Sequence, residues 1–289
     1  MAQAELVLDA GAQLAEGPCW LADRQRLLWV DIMAGKVHVF DPDTGDDTAV
    51  DVGQPVGAGV PADDGRLALA VRDGFALLDL EDGRIETVAE VERELTGNRM
   101  NDGKCDSAGR FWAGTMAMEP RPGAGALYRL DAMRRVERMV DGVGISNGLG
   151  WSPDDRLMYY VDSLQGRVDV FDFDAATGRI GGRRLFAGVE GPGFPDGLAV
   201  DADGGLWVGV WGGGCVLHLL PDGAVAGRVD LPVSQVTSCC FGGPDLRDVY
   251  VTTAWETLPP ERREPHAGGL FRFRPGVAGQ PTRVYRARP

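Results

Sequence analysis

The stretch GFPDGLAVDADGGLWVGVWGG, residues 193–213, holds two short apolar runs joined by an Asp/Gly turn. Apolar runs this short, bounded by turn residues, read as strands rather than helices. One residue stands out: Asp196, between Pro195 and Gly197, carries a charge just where the first run is about to go inside.

The unit of polar residue, short strand, tight turn and second strand recurs along the chain. EGPCWLADRQRLLWVDIMAGKVHVFDPDTG repeats it from Glu16, NDGKCDSAGRFWAGTMAME from Asn101, and SNGLGWSPDDRLMYYVDSLQGRVDVFDFDAATG from Ser146. Looser copies are GAGVPADDGRLALAVRDGFALLDLEDG from Gly57 and TSCCFGGPDLRDVYVTTA from Thr237. Equivalent positions in the second strands are Trp29, Ala68, Trp112, Tyr159, Trp207 and Tyr250, spaced by 39, 44, 47, 48 and 43 residues. A period in the forties made of short strands is the mark of propeller blades. Third strands follow (KVHVFD, GFALLDL, GALYRL, GRVDVFDF, CVLHLL, GLFRFR), and most units add a fourth (TAVDV, RIETVAEV, RRVERMV, RRLFAG, AVAGRVDL). DAMRRVERMVDG could be drawn as a helix, but its place in the repeat makes it a strand.

The prediction is an all-β, six-bladed β-propeller with four strands per blade, forming one domain over residues 1–289. The sixth unit lacks an evident fourth strand. ELVLDA, residues 5–10, is expected to close the ring there, with TRVYRA, residues 282–287, as the competitor. Closure leaves only short, protected strand edges.

Composition narrows the function. At 44% apolar and 25% charged, the 289 residues suit an ordinary globular protein. A formal net charge of −14 argues against nucleic acid and anionic membranes, both of which require a basic face. The five cysteines are odd in number and irregular in spacing, and no C-x-x-C occurs, so neither a disulfide framework nor a thiolate zinc site is expected. The N-terminal stretch lacks the basic and long apolar regions of a secretory signal, and a cytoplasmic setting is expected.

In a propeller the first strand of each blade lines the central channel, so the residues opening those strands meet at one mouth. In order they are Glu16, Gly57 or Ala58, Asn101 with Asp102, Asn147, Asp196 and Ser238. Four blades of six bring a carboxylate or amide. Taken singly, each would cap a strand or satisfy a turn. In register, they form a ring of oxygen donors suited to a hard divalent cation such as calcium, magnesium or manganese, with zinc and iron(II) also acceptable. A glycine after several of them lets backbones approach a crowded axis.

The segments EGPCW (16–20), NRMNDGKCDSAGRFWAGTMAME (98–119), SNGLGWSPDDRLMYYVDS (146–163), FPDGLAVDADGGLWVGVWGG (194–213) and TSCCFGGPDLRDVYVTTA (237–254) resemble the senescence-marker-protein/gluconolactonase family, which includes regucalcin. The resemblance implies a six-bladed propeller with one catalytic divalent ion. It implies Glu16, Asn147 and Asp196 as ligands, Asn101 beside metal or substrate, and Arg99 and Glu119 on substrate hydroxyls. The second blade, QPVGAGVPADDG, departs from the pattern and offers little chemistry.

The implied reaction is hydrolysis of a sugar lactone such as gluconolactone or a pentonolactone, the cation acting as Lewis acid on the carbonyl and Asp196 as general base. The expected partner is that small molecule, with the protein a monomer or weak homodimer. Two alternatives use the same site: a non-catalytic calcium-binding regulator, and a phosphotriesterase-like hydrolase. GISNG, residues 144–148, matches G-x-S-x-G, but a nucleophile elbow requires strand, turn and helix, and a strand follows here. His38, His218 and His266 are scattered. Trp211 could wall a pocket, with packing the favoured role; Cys239–Cys240 could form a vicinal disulfide, with buried thiols the default; and WETLPPERREPHAGG, residues 255–269, is expected to cover the pocket.

Overall fold

In the computed structural model, which describes residues 3–287, the strands gather into six four-stranded antiparallel sheets, one for each sequence unit. The first blade runs Ala15–Leu21, Arg26–Asp31, Lys36–Phe40, Asp47–Asp51, and each strand pairs with the next. Blades two to five repeat this order. The first strands of neighbouring blades pack on one another all the way round, from the first to the second and finally from the sixth back to the first. The molecule is the six-bladed propeller that the repeat predicts.

Burial falls from axis to rim, and the sequence follows it. The first strands Ala15–Leu21, Val56–Pro61, Asn98–Cys105, Ser146–Trp151, Phe194–Val200 and Val236–Gly242 are almost wholly buried. Except for NRMNDGKC they read mostly as apolar and small, because both faces are covered by neighbouring blades. Fourth strands such as Asp47–Asp51 and Val136–Val143 are half in water. That is why VERMVDGV is a strand despite its helix-like charges. Between blades, aromatic rings interlock: Phe75 packs edge-on against Phe111 at 5.4 Å, and Trp20 stacks on Tyr250 at 5.7 Å across the seam of the first and sixth blades. Burying one such ring contributes roughly 1.5–3 kcal/mol.

The Asp/Gly turns have a defined job. Asp201 accepts hydrogen bonds from the Asp203 and Gly205 amides at 3.0 and 2.8 Å, and from the Trp207 indole at 3.0 Å. Asp106 does the same for Ala108, Arg110 and Trp112. One carboxylate thus pins both the turn and the large ring that follows it.

Ring closure falls to the N-terminal strand. Glu5–Leu8 pairs antiparallel with Leu270–Phe273 and completes the sixth sheet. The competing segment forms no strand there. It crosses the far mouth of the channel, where the Gln280 amide reaches Trp151 O at 3.0 Å, and buried Tyr285 bridges to Ala62. No helix among the described residues is long and apolar enough to cross a membrane.

Candidate active site

In all six first strands the ladder to the second strand slips at the same level, between Glu16 and Cys19, Val56 and Ala58, Met100 and Gly103, Ser146 and Leu149, Pro195 and Leu198, and Val236 and Cys239. A bulge leaves a residue unpaired and re-aims its side chain. The ring residues are therefore not the opening residues of their strands but those at the bulge. Asp196 is preceded in its strand by Phe194 and Pro195.

Two glycines make room for this. A Cβ on Gly148 would lie 2.6 Å from Asp196 O and 2.8 Å from Leu198 N, and one on Gly197 would lie 2.0 Å from Ser238 Oγ. Channel strands of the fourth, fifth and sixth blades can approach this closely only because those positions lack side chains.

The bulges open onto a cavity of about 290 Å³, with Glu16, Arg99, Asn101, Asn147 and Asp196 among its lining residues. Phe194 and Trp211 add aromatic surface, and Glu256 and Thr257 enter from the segment after the last blade's second strand. A smaller cavity of about 100 Å³ lies deeper, against Lys104 and the tail residues 280–283.

Hydrogen bonding at the site is incomplete. Glu16 Oε2 accepts from the Gly17 amide at 2.8 Å. Asn147 Nδ2 donates to Ser163 Oγ at 3.0 Å, and Asn147 and Asp196 line the same cavity. Asp102 Oδ1 accepts from the Gly103 amide at 2.7 Å. Yet Asn147 Oδ1, Asp196 Oδ1 and Asp102 Oδ2 are buried without a partner. Each such oxygen costs about 1–3 kcal/mol, more when charged. Three of them on neighbouring bulges call for a positive group. Among the described residues no three His, Cys, Asp or Glu side chains gather to hold a metal ion. The donor set at this mouth is of another kind, with two carboxylates, Glu16 and Asp196, and the Asn147 amide oxygen. All-oxygen donors fit a hard cation.

The electrostatics agree. Burial pushes the Glu16 carboxyl up to about 8; Asp102 adds to the rise, and the Gly17 amide, Arg99 and Lys104 oppose it. Asp196 is raised well above the carboxylate range by burial, then by Glu16 and Asp102. Asp102 is raised by burial and drawn down by Lys104. Burial lowers Arg99, while Glu256, Glu16 and Asp196 hold its proton on.

Arg99 is set by its neighbours: Nη1 donates to Asn101 Oδ1 at 2.5 Å and to Met100 O at 3.0 Å, and Asn101 Nδ2 donates to Ser146 O at 2.8 Å. Glu119 is exposed on the loop leaving Phe111–Ala117; its neighbour Pro120 lines the cavity, and Glu119 itself does not. Ser146 is fully buried, and its Oγ accepts from Tyr160 OH at 2.7 Å. No histidine lies at the cavity: His38 stacks on Trp29, His218 stacks on Trp207, and His266 meets Asp9 at 3.0 Å. All five cysteines are free thiols, Cys239 and Cys240 included.

The segment after Ala254 does reach the cavity. Only its first residues form wall; Leu258 is half-buried and residues 259–263 are exposed. Lining residues with no sequence signal of their own are Glu256, Phe194 and Ser163. The one hint for Ser163 is the Asp ending the second strands of the first and fourth blades. Asp31 accepts from the Gln13 and Leu14 amides, and Asp162 from those of Gly144 and Ile145, which fixes the mouth of the channel.

Comparison with known proteins adds to this geometry. The family model described as SMP-30/Gluconolactonase/LRE-like region matches residues 14–255. The chain is 41% identical over 279 residues to regucalcin of Gallus gallus, covering 93% of each. Among solved structures it is similar to a calcium-binding protein, regucalcin, from Agrobacterium tumefaciens (TM-score 0.94, 30% identity, 99% of this chain and 98% of that one). It is likewise similar to a luciferin-regenerating enzyme (TM-score 0.93, 33% identity, 99% and 100%).

Proposed function

The chain belongs to the SMP-30/gluconolactonase/LRE-like family, and from that premise we propose that it is a metal-dependent lactonase opening sugar lactones such as gluconolactone or a pentonolactone. The observation that carries the reading is the pairing, in one cavity, of unpartnered buried oxygens on Asn147 and Asp196 with an anchored, buried Arg99.

Glu16, Asn147 and Asp196 would hold one divalent cation, which when bound supplies Lewis acidity toward the lactone carbonyl. Charge supports a single ion: the cavity lining carries three acids, Glu16, Asp196 and Glu256, and one cation, Arg99, a formal deficit that one divalent ion fills.

The protein's own groups do the rest. Asp196 takes a proton from the attacking water as the water oxygen bonds to the carbonyl carbon. The same proton then returns to the ring oxygen as its bond to that carbon breaks. The product is the open hydroxy acid, which ionises. Arg99, its guanidinium fixed by Asn101 and Met100 O, keeps donors free for substrate hydroxyls. Phe194 and Trp211 offer apolar faces to the C–H side of a sugar ring. Glu119, at the outer edge, would accept from a hydroxyl of a longer substrate.

A purely ion-binding role would use the same oxygens. It would leave Arg99, buried against its own desolvation cost, without a task. The testing experiment is chelator treatment, add-back of individual divalent ions, and measurement of proton release from gluconolactone and xylonolactone. A metal-dependent rate above spontaneous opening is expected; its absence with every ion would overturn the reading.

A further inference from the structure

We infer that Glu256 is a specificity-determining residue that reserves this cavity for uncharged lactones and speeds departure of the anionic product. The inference rests on the lactonase reading above.

Glu256 comes from outside the repeat, yet it is held firmly. Its amide and that of Trp255 both donate to Gln13 O, at 3.1 and 3.2 Å. Its carbonyl accepts from the buried Gln235 side chain at 2.5 Å, and the same Gln235 nitrogen reaches Thr257 Oγ1 at 3.2 Å. Just before it, the Trp255 indole donates to Gly11 O at 3.0 Å, and the Arg263 guanidinium lies 3.5 Å from the ring centroid. All these anchors use backbone or neighbouring side chains. None uses the Glu256 carboxylate, and Glu256 lines the cavity with Arg99.

Within the cavity, Glu256 and Arg99 act on each other through space rather than by a direct hydrogen bond. A gap is left between a donor wall and an acceptor wall. A polyhydroxylated ring inserted there accepts from Arg99 and donates to Glu256. A substrate carrying its own carboxylate, remote from the end where Glu16 and Asp196 would hold the cation, meets the Glu256 carboxylate where a neutral one offers a hydroxyl, and like charges repel. Lactone hydrolysis leaves a new carboxylate in the same cavity, which Glu256 repels as well.

The test compares native protein, Glu256→Gln and Glu256→Asp on two lactones of equal ring size, neutral gulono-1,4-lactone and glucaro-1,4-lactone, which bears a free carboxylate. Glu256→Gln keeps size and hydrogen-bonding capacity and leaves the backbone anchors intact. The kcat/KM ratio is expected to shift about tenfold toward the anionic lactone in Glu256→Gln, and gluconate is expected to inhibit about tenfold more tightly. Glu256→Asp should restore both values to within about threefold of native. An unchanged ratio in Glu256→Gln, or an equal fall on both lactones, would overturn the inference while leaving the lactonase reading intact. Failure of native protein to open either lactone would remove the reading and the inference together. If Glu256→Gln does not fold, as judged by thermal melting, Glu256→Ala is read in its place on the same ratio.

Discussion

Asn147 and Asp196 belong to neighbouring blades, line one cavity, and each leave one buried oxygen unpartnered at the channel mouth. Two polar side chains with spare buried acceptors on one cavity wall are what the proposed cation site requires.

Asp196 should be indispensable and Ser146 should not. Asp196→Ala is expected to lower kcat/KM at least about a thousandfold, since the side chain proposed as both ligand and base is lost. Ser146→Ala should keep most turnover and cost about 1–3 kcal/mol of stability, because Tyr160 OH loses its buried acceptor. Steady-state kinetics and thermal melts on both variants check this. Equal loss of activity would reverse the assignment.

The metal-free protein should weaken as pH rises. Glu16 has a folded-state pKa of about 8 against 4.5 for the free side chain, so the folded state binds its proton more tightly. Its contribution is fully present below about pH 4.5 and is lost as pH climbs toward 8, at about 1.4 kcal/mol per pH unit for one carboxyl. Asp196 shifts in the same direction. Melting of chelator-treated protein from pH 5 to 8 should show a falling Tm that a divalent ion restores. Ion binding near pH 6.5 should release protons, seen as buffer-dependent heats in calorimetry. A Tm that is flat or rises with pH would contradict this electrostatic picture.

Gly148→Ala should disable the centre without touching a polar group. The new methyl meets Asp196 O and Leu198 N. Either the fourth and fifth blades part or the bulge moves, at a cost of about 1–3 kcal/mol. Loss of divalent-ion affinity is the expected outcome, read by calorimetry. Unchanged affinity would mean that the close approach does not position Asp196.

Much of this architecture was legible in the residues, for a physical reason. A ring of like units forces equivalent positions to equivalent places, so one reading of Asp196 located Glu16, Asn101 and Asn147. Closure by Glu5–Leu8 followed from the missing fourth strand. What the repeat does not encode was hidden. The bulge common to all six channel strands lies in the pairing register, not in residue type. Glu256 enters from an irregular segment tied down by Gln13 and Gln235. Phe194 precedes Asp196 by two residues and reads as an ordinary strand residue. Glu119, singled out by family resemblance, sits at the cavity's edge rather than on its floor.

Removing the closing strand should loosen the whole ring. Deletion of residues 1–8 exposes the edge of Leu270–Phe273 and breaks the Glu5–Arg272 contact. A loss of a few kcal/mol and increased self-association are expected. Denaturant melts and light scattering test this. A native-like melt would assign closure to the tail across the far mouth.

A crystal soaked in manganese and measured at the metal's absorption edge tests whether Glu16, Asn147 and Asp196 share one cation. A single anomalous peak is expected at the channel mouth, within about 2.0–2.6 Å of an oxygen from each of the three side chains. A peak elsewhere, or none with the three side chains pointing apart, would contradict it.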